Sequence, residues 1–324
     1  MQRKYTIPLV LSAIALLVAS HSCKKFENGI EVPSYIHIDS ITVDCDYYKY
    51  GASTSNISDA WVYVDDQIVG CFELKRKDSI DDPKEIGVTF PVLKKGPHKV
   101  AIYGGIKVDG RTGARAPYSF YAPKEYYNLN LVQDSIVNLN PVLDYFELGK
   151  GTNVAWMEDF EQGSTLIKTA QSDTSLFRIG YPEAWYDDPL HSSFSGKVVL
   201  PPDSLHFTLA NEAELTNLPT NSNPVLLEMD YNCNAAFTVG VMYYKNYQLT
   251  EWPLVTVNAT DSINATPNLW KKIYINIGPT LVEYRDSEYF KIYVTSHVYK
   301  GTTTEYVPDR VRKYYFDNMK LLYK

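Results

Sequence analysis

From Tyr35 to its end, this chain places apolar residues at every second position and almost nowhere at every third or fourth. Ile36 and Ile38 share one face, and Ile41, Val43 and Cys45 resume the alternation after Asp39-Ser40. Ala60, Val62 and Val64 interleave with Trp61 and Tyr63, and the acidic turn Asp65-Asp66-Gln67 sends the chain back through residues 68–74. A period of two marks strands with one buried face, and two such runs around a short turn make a hairpin. Residues 47–58 read as a polar loop, and similar runs recur at 98–103, 105–108, 126–132, 225–231, 236–244, 270–277, 289–296 and 312–323. The sequence therefore predicts an all-β fold. Beyond residue 22 there are about 300 residues, large for one core and comfortable for two. Gly149 and Gly151 flank Lys150 in DYFELGKG and interrupt the pattern, so the expected domains are 35–145 and 152–324. The first reads as a small β-sandwich and the second, with longer polar connections, as a larger jelly roll.

Upstream, Gln2-Arg3-Lys4 precedes the uncharged apolar run 7–18, then small and polar residues 19–22, then Cys23. That order is a secretory signal, and its apolar run is too short to span a bilayer. It resembles a bacterial lipoprotein signal: Ser22 fits the position before the cysteine, while Ser20 stands where the family's box usually has Leu. The resemblance implies cleavage of residues 1–22, diacylglycerol on the Cys23 thiol and a further acyl chain on its amine, followed by a tether over 23–34. Several acyl chains give a stable anchor. The plain alternative is cleavage and secretion. Lys24 and Lys25 follow the cysteine directly, whereas surface-displayed lipoproteins of the Bacteroidota often carry an acidic run there. The expected location is the outer membrane, with the periplasmic face favoured over the cell surface.

Charge and motif content narrow the function. A formal net charge of -7, with Lys75-Arg76-Lys77 as the tightest basic cluster, speaks against nucleic acid. Cys45, Cys71 and Cys233 include no CxxC pair, so neither a zinc site nor a disulfide framework is indicated. Cys45 and Cys71 could bridge in an oxidising envelope; as buried thiols they would simply pack as small hydrophobes. His37, His98, His191, His206 and His297 are not at metal spacing, and no GxSxG, P-loop or GxGxxG motif is present. Glu158-Asp159-Glu161 and Asp187-Asp188 raise the two-carboxylate chemistry of glycoside hydrolysis. Adjacent strand residues face opposite ways, so both clusters read as structural or solvated, and the chain as non-enzymatic.

Binding candidates come from the aromatics. Tyr181, Trp185, Tyr186, Asp187 and Asp188 form the densest aromatic and acidic loop, and Tyr243, Tyr244, Tyr247 and Trp252 form a second group. Sugar rings stack on such faces while nearby polar groups take the hydroxyls. Trp156 and Trp270 begin strands and are expected in the core. Asp-Ser followed by an aliphatic residue occurs at Ser40, Ser79, Ser135, Ser204 and Ser262. The pattern suits a turn that bonds its own backbone before a strand. It also resembles the O-glycosylation acceptor of exported Bacteroidota proteins, which would make these serines acceptors.

Two further resemblances bear on the domains. WVYVDDQIVGCFEL followed by FPVLKKGPHKVAIY resembles prealbumin-like, PEGA-type modules, which implies an Ig-like or prealbumin-like first sandwich. WMEDFE, HSSFSGKVVL, LLEMDYNC, WKKIYINI and YFDNMKLLY together resemble the carbohydrate-binding and laminin-G-like jelly rolls of Bacteroidota lipoproteins. That resemblance implies glycan binding by the second domain. It also implies adjacent first and last strands, bringing Glu158 and Glu161 near Asp317 and Asn318, where related modules sometimes hold a structural calcium. No other cofactor is expected. An accessory or scaffold subunit of an outer-membrane β-barrel complex, for secretion, motility or nutrient uptake, is the alternative function.

Overall fold

The computed structural model describes residues 32–75, 86–184, 192–202, 204–261, 269–297 and 311–324, and these are organised almost wholly as strands. The first unit contains β1 (Ser34–Ile38), β2 (Thr42–Val43), the single-turn α1 (Tyr47–Tyr50), β3 (Asp59–Val64), β4 (Gln67–Glu73), β5 (Val88–Val92) and β6 (Gly96–Lys107). It continues with β7 (Arg115–Pro117), β8 (Tyr121–Ala122), β9 (Lys124–Leu131), β10 (Ile136–Leu139) and β11 (Val142–Tyr145). One sheet runs β4-β3-β6-β7, with β9 also on β6, and two three-stranded sheets run β10-β1-β5 and β2-β11-β8. The alternating residues Ile36, Ile38, Ala60, Val62, Val64, Val100 and Ile102 point into a common core. The fold is a β-sandwich because period-two strands can bury their apolar faces only against another sheet.

The β3–β4 hairpin closes through Asp65 and Asp66, both at positive φ, the two-residue turn whose twist matches the flanking strands. Two local expectations are corrected. The separate strands at 98–103 and 105–108 are one twelve-residue β6. Gly104 and Gly105 keep it continuous because both lie under neighbours: a Cβ on Gly105 would stand 2.8 Å from the Trp61 indole. The polar loop at 47–58 begins with a helical turn, started by the Asp46 carboxylate accepting from the Tyr48 N–H.

The second unit contains β12 (Asn153–Glu158), β13 (Leu166–Lys168), β14 (Leu176–Gly180), β15 (Phe194–Leu200), β16 (His206–Asn211), β17 (Val225–Cys233) and β18 (Phe237–Lys245). It ends with β19 (Gln248–Val257), β20 (Lys271–Asn276), the short helix α2 (Gly278–Glu283), β21 (Tyr289–His297) and β22 (Arg312–Tyr323). One sheet runs β14-β15-β22-β17-β20, with β12 alongside the second half of β22; the other runs β13-β16-β21-β18-β19. From β15 onward the chain crosses repeatedly between the sheets, which is jelly-roll winding. Val225, Leu227, Met229, Val239, Val241, Ile292, Val294 and Phe316 fill the space between them.

Candidate functional site

Each sheet of the second sandwich has one face turned away from its core, and the two faces have opposite characters. On β17 the core takes Val225, Leu227, Met229 and Tyr231, so Glu228 and Asp230 point outward. Lys272 on β20 and Lys320 on β22 join them on that face. The first unit covers it: Leu226, Tyr274 and Leu322 belong to the first unit's apolar core. Val108 bridges Tyr274, and the Asn56 side chain donates to the Lys272 carbonyl at 2.7 Å.

The covered charges form one hydrogen-bonded network. Glu228 Oε1 accepts from the Tyr118 and Tyr145 hydroxyls, and Oε2 lies 2.9 Å from Lys272 Nζ. Lys272 Nζ also donates to Thr54 Oγ1 at 3.0 Å, and Thr54 donates to Asp230 Oδ2 at 2.6 Å. Lys320 Nζ donates to the carbonyls of Tyr50 and Ala52, at 2.6 and 2.9 Å, and to the Tyr145 hydroxyl. Burial works to raise the Glu228 carboxyl, but Lys272, Lys320 and the tyrosine hydroxyl together hold it below the ordinary range. Burial pushes Lys320 down despite Glu228, whereas Asp230 and Glu228 hold Lys272 above its ordinary value against the same penalty. The network welds the two units, and every ionisable member has a partner.

The outward face of the other sheet is polar and aromatic. Because Phe207, Phe237, Phe290, Ile292 and Val294 point inward, Thr208, Thr238, Tyr289, Tyr293 and Thr295 point outward. Tyr244 and Tyr289 oppose each other across β18 and β21 with rings stacked at 4.8 Å and 7°. Next along the strands come Lys291 and Glu251, on either side of the buried Met242. Tyr293 then lies flat over Gly240, 1% exposed, with its hydroxyl pushed up by burial and by Glu251. A row of threonines follows: Thr208 and Thr295 hydroxyls are 2.8 Å apart, Thr238 and Thr256 3.1 Å. His206 and His297 stack beyond it, rings 5.1 Å apart and 3° from parallel. From Tyr244 to Thr238 is six strand residues, roughly 20 Å at ~3.4 Å each. This face offers the Tyr244 and Tyr289 rings at one end, the Thr238 and Thr256 hydroxyls at the other, and one carboxylate and one ammonium between, while Met242, Tyr293, Thr208 and Thr295 are buried in its floor.

The residues singled out by sequence are dispersed. Tyr181 follows β14 and is 76% exposed, while Trp185, Tyr186, Asp187 and Asp188 lie outside the described residues, as do Cys23, Ser79 and Ser262. Ser40 and Ser135 are exposed and Ser204 is half-buried. Tyr243 and Trp252 are turned to the other side of their sheet, where both contact the Tyr284 ring, and Tyr247 is the exposed tip of the β18–β19 turn. Trp156 is buried as expected. Trp270 is not in the core; it is half-buried with its ring edge-on to Tyr315.

β12 and β22 are adjacent, with Glu158 opposite Met319. Among the described residues no group of three His, Cys, Asp or Glu side chains is placed to hold a metal ion, and Glu158, Glu161 and Asp317, the calcium candidates, accept hydrogen bonds from protein groups. Both Glu158 oxygens are taken inside its own turn, by the Phe160 N–H and by Thr165. Glu161 accepts from the Ser193 and Phe194 amides, and Asp317 from the Ser195 hydroxyl and Asn318 N–H. The Arg178 guanidinium donates to the Phe160 and Glu161 carbonyls. Cys45, Cys71 and Cys233 are free thiols. Cys45 is half-buried against Ser53 and the Gly51 carbonyl, and Cys71, expected to be buried, is exposed on β4.

The open-face residues Tyr289, Lys291, Glu251, Thr238 and Thr256 escaped the sequence reading, as did the buried network. The strings LLEMDYNC, WKKIYINI and FDNMKLLY do carry charges at alternate strand positions. That pattern marks an outward face, but nothing in it says which face becomes covered.

No family model and no curated protein sequence matches the chain. Solved structures similar to part of it include the CBM22-2 xylan-binding domain from Paenibacillus barcinonensis Xyn10C, at 13% identity over 52% of this chain and 99% of that one, with a TM-score of 0.36. A non-crystalline cellulose-specific carbohydrate-binding module, CBM28, is 13% identical over 51% of this chain and 91% of that one, with a TM-score of 0.34. The family 11 carbohydrate-binding module of Lic26A-Cel5E from Clostridium thermocellum is 12% identical over 53% of this chain and 94% of that one, with a TM-score of 0.32.

Proposed function

We propose that the chain is a non-enzymatic lipoprotein of the outer membrane, anchored through acylated Cys23 on the periplasmic side, whose second sandwich binds glycan. The observation that supports glycan binding is the open β13-β16-β21-β18-β19 face. The half-buried Tyr244 and Tyr289 rings present apolar surface to a pyranose, and Thr238, Thr256, Glu251 and Lys291 supply donors and acceptors for its hydroxyls. At roughly 20 Å the face has room for about three or four sugar rings. The opposite face is closed by the first unit, which leaves this one as the broad polar surface of the sandwich. The 181–188 loop is retained as a second contact region, with Tyr181 exposed beside the sheet edge. Ser40 is the favoured O-glycosylation acceptor, because it is exposed between β1 and β2.

A glycan array probed with the full chain tests the reading, with Tyr289→Ala, Tyr244→Ala and Trp185→Ala as variants. Loss of the array signal in either tyrosine variant supports the open face; loss only in Trp185→Ala transfers the site to the 181–188 loop. Absence of signal across neutral and acidic glycans removes the reading altogether. The N-terminal mass of protein taken from its own envelope separately reports whether Cys23 carries acyl chains.

A further inference from the structure

Where the chain enters the first sandwich, three turns meet. The Pro33 carbonyl accepts from the Asp134 N–H at 3.0 Å, and the Tyr35 N–H donates to the Ser135 carbonyl at 2.9 Å. The Ser34 hydroxyl is 3.1 Å from the carbonyls of both Val92 and Lys94. Residues 32–34, 92–94 and 132–136 are thus held together at one end of the unit. That end displays Val32 (42% exposed), Leu93 (65%), Val132 (48%) and Ile136 (58%). Among the described residues, these four branched aliphatic side chains lie on neighbouring segments at one end and are exposed there.

Their surroundings are charged but balanced. Asp65, on the β3–β4 turn, pairs with Lys94 at 2.7 Å and His98 at 2.8 Å, and Asp66 pairs with Lys99 at 3.0 Å. Exposed Lys95 and Asp134 complete the rim. Two other facts fix what lies opposite this end. Cys23 is nine residues from Val32, a reach of at most about 30 Å, so an anchor there keeps this end beside the membrane. β6 starts at this end with Gly96 and runs to Lys107, where Val108 meets Tyr274 of the second unit. Eleven residue steps place the second sandwich roughly 35 Å further out.

We propose that this apolar end is a membrane-docking surface: Val32, Leu93, Val132 and Ile136 insert at the headgroup boundary of the bilayer that holds the anchor, and β6 stands the open face of the second sandwich away from it. The proposal rests on the lipid-anchor reading for its tether. Apolar tips within a charged rim suit the interface, where side chains enter the acyl boundary and lysines remain among the headgroups. A docked end gives the anchored protein a fixed orientation. The binding face is then presented to the space beyond the membrane and not to the lipid.

The test labels an introduced cysteine with an environment-sensitive fluorophore in the full chain with Cys45→Ala and Cys71→Ser, which leaves only the buried Cys233 besides the lipid-bearing Cys23. Leu93→Cys and Ile136→Cys report the docking end, and Arg111→Cys, in the turn after β6, reports the far end. The protein is inserted in vesicles of phosphatidylethanolamine and phosphatidylglycerol containing a lipid-borne quencher. Quenching at positions 93 and 136 should exceed that at 111 by about threefold or more, and Ile136→Glu should abolish it at position 93. Equal quenching at the near and far positions, with anchored and folded protein, overturns the proposal. The N-terminal mass of the same sample reads the anchor independently. If Cys23 proves unacylated, a polyhistidine tag ahead of residue 24 and nickel-chelating vesicles supply the tether, so a failed anchor and a failed docking surface give different results.

Discussion

The two outward faces of the second sandwich start from similar sequence and end in opposite states. Both carry charged and hydroxyl side chains at alternating strand positions. On one, Glu228, Asp230, Lys272 and Lys320 are covered by the first unit and every charge is tied to another or to a carbonyl or hydroxyl. On the other, Glu251, Lys291, Thr238 and Thr256 meet water, and Tyr244 and Tyr289 stack with each other in place of a partner domain. The difference shows what decides whether a polar sheet face becomes an interface or a binding surface. An interface must satisfy all its polar groups from within the protein, since a buried polar group without a partner costs about 1–3 kcal/mol. A binding surface leaves them to water until a ligand arrives.

The largest expected effects therefore lie on the covered face. Glu228→Leu removes the anion that two buried lysines share, and breaking a buried pair in this way costs about 3–5 kcal/mol. Urea melts should show both units losing stability together, since Tyr118 and Tyr145 of the first unit donate to the same carboxylate. A loss below about 1 kcal/mol would mean that water enters the network and that the units are joined only by apolar contact. Lys320→Met tests the same weld from the other sign, leaving the Tyr50 and Ala52 carbonyls without their donor.

Acid should act on the covered face before the open one. The Glu228 carboxyl is held below its ordinary value in the folded protein, so its contribution to stability is complete above the unfolded value near 4.5. It is lost as the pH falls through the lower, folded value. Lys320 has the opposite linkage: burial favours its neutral form, so its penalty is present at neutral pH and stability rises as alkali removes the proton. Unfolding free energies followed below pH 5 should fall steeply for the native chain and less steeply for Glu228→Gln. Parallel slopes would show that the titration belongs to other carboxylates.

Between the two faces in expected magnitude stands Gly240, which lies on the open sheet beneath Tyr293. A Cβ there would stand 2.5 Å from the Tyr293 ring and against the Trp252 carbonyl oxygen. Gly240→Ala should cost about 1–3 kcal/mol by lifting the ring and disturbing the β18–β19 pairing. Binding would change with it, because the floor of the face would be raised. A neutral outcome would show that the ring swings aside, and that the floor is not fixed.

The strands and their pairing into sandwiches were legible because a period of two is a local signal, readable from Ile36-Ile38 or Ala60-Val62-Val64 without knowing their partners. The merging of two expected strands into β6 was not, because Gly104 and Gly105 read as a break until Trp61 and Leu143 are seen to lie over them. Turn chemistry was only partly legible. Asp65-Asp66 announced a hairpin, whereas Glu158 and Glu161 suggested a cation site while in the fold they accept from four backbone amides. The site was least legible, because faces are assembled from strands far apart in sequence. Tyr244 and Tyr289 are forty-five residues apart, and nothing near either one names the other.

The smallest expected effect on stability, and the sharpest on function, is at that pair. Tyr289→Ala removes a half-buried ring from a surface that no other unit covers, so only its stacking on Tyr244 is lost, about 0.5–1.5 kcal/mol. The same ring is the platform on which a sugar would stack, and its loss should weaken glycan binding by about tenfold, the equivalent of ~1.4 kcal/mol. Tyr289→Phe separates the two roles of the side chain. It keeps the ring face and loses only the hydroxyl, so binding close to native would assign the contribution to stacking, and binding as weak as the alanine variant would assign it to hydrogen bonding. Glu228→Gln belongs in the same titration as the opposite control. It should lower stability and leave the affinity of the folded fraction unchanged, because the charge that joins the units and the rings that meet the ligand lie on opposite sides of one core.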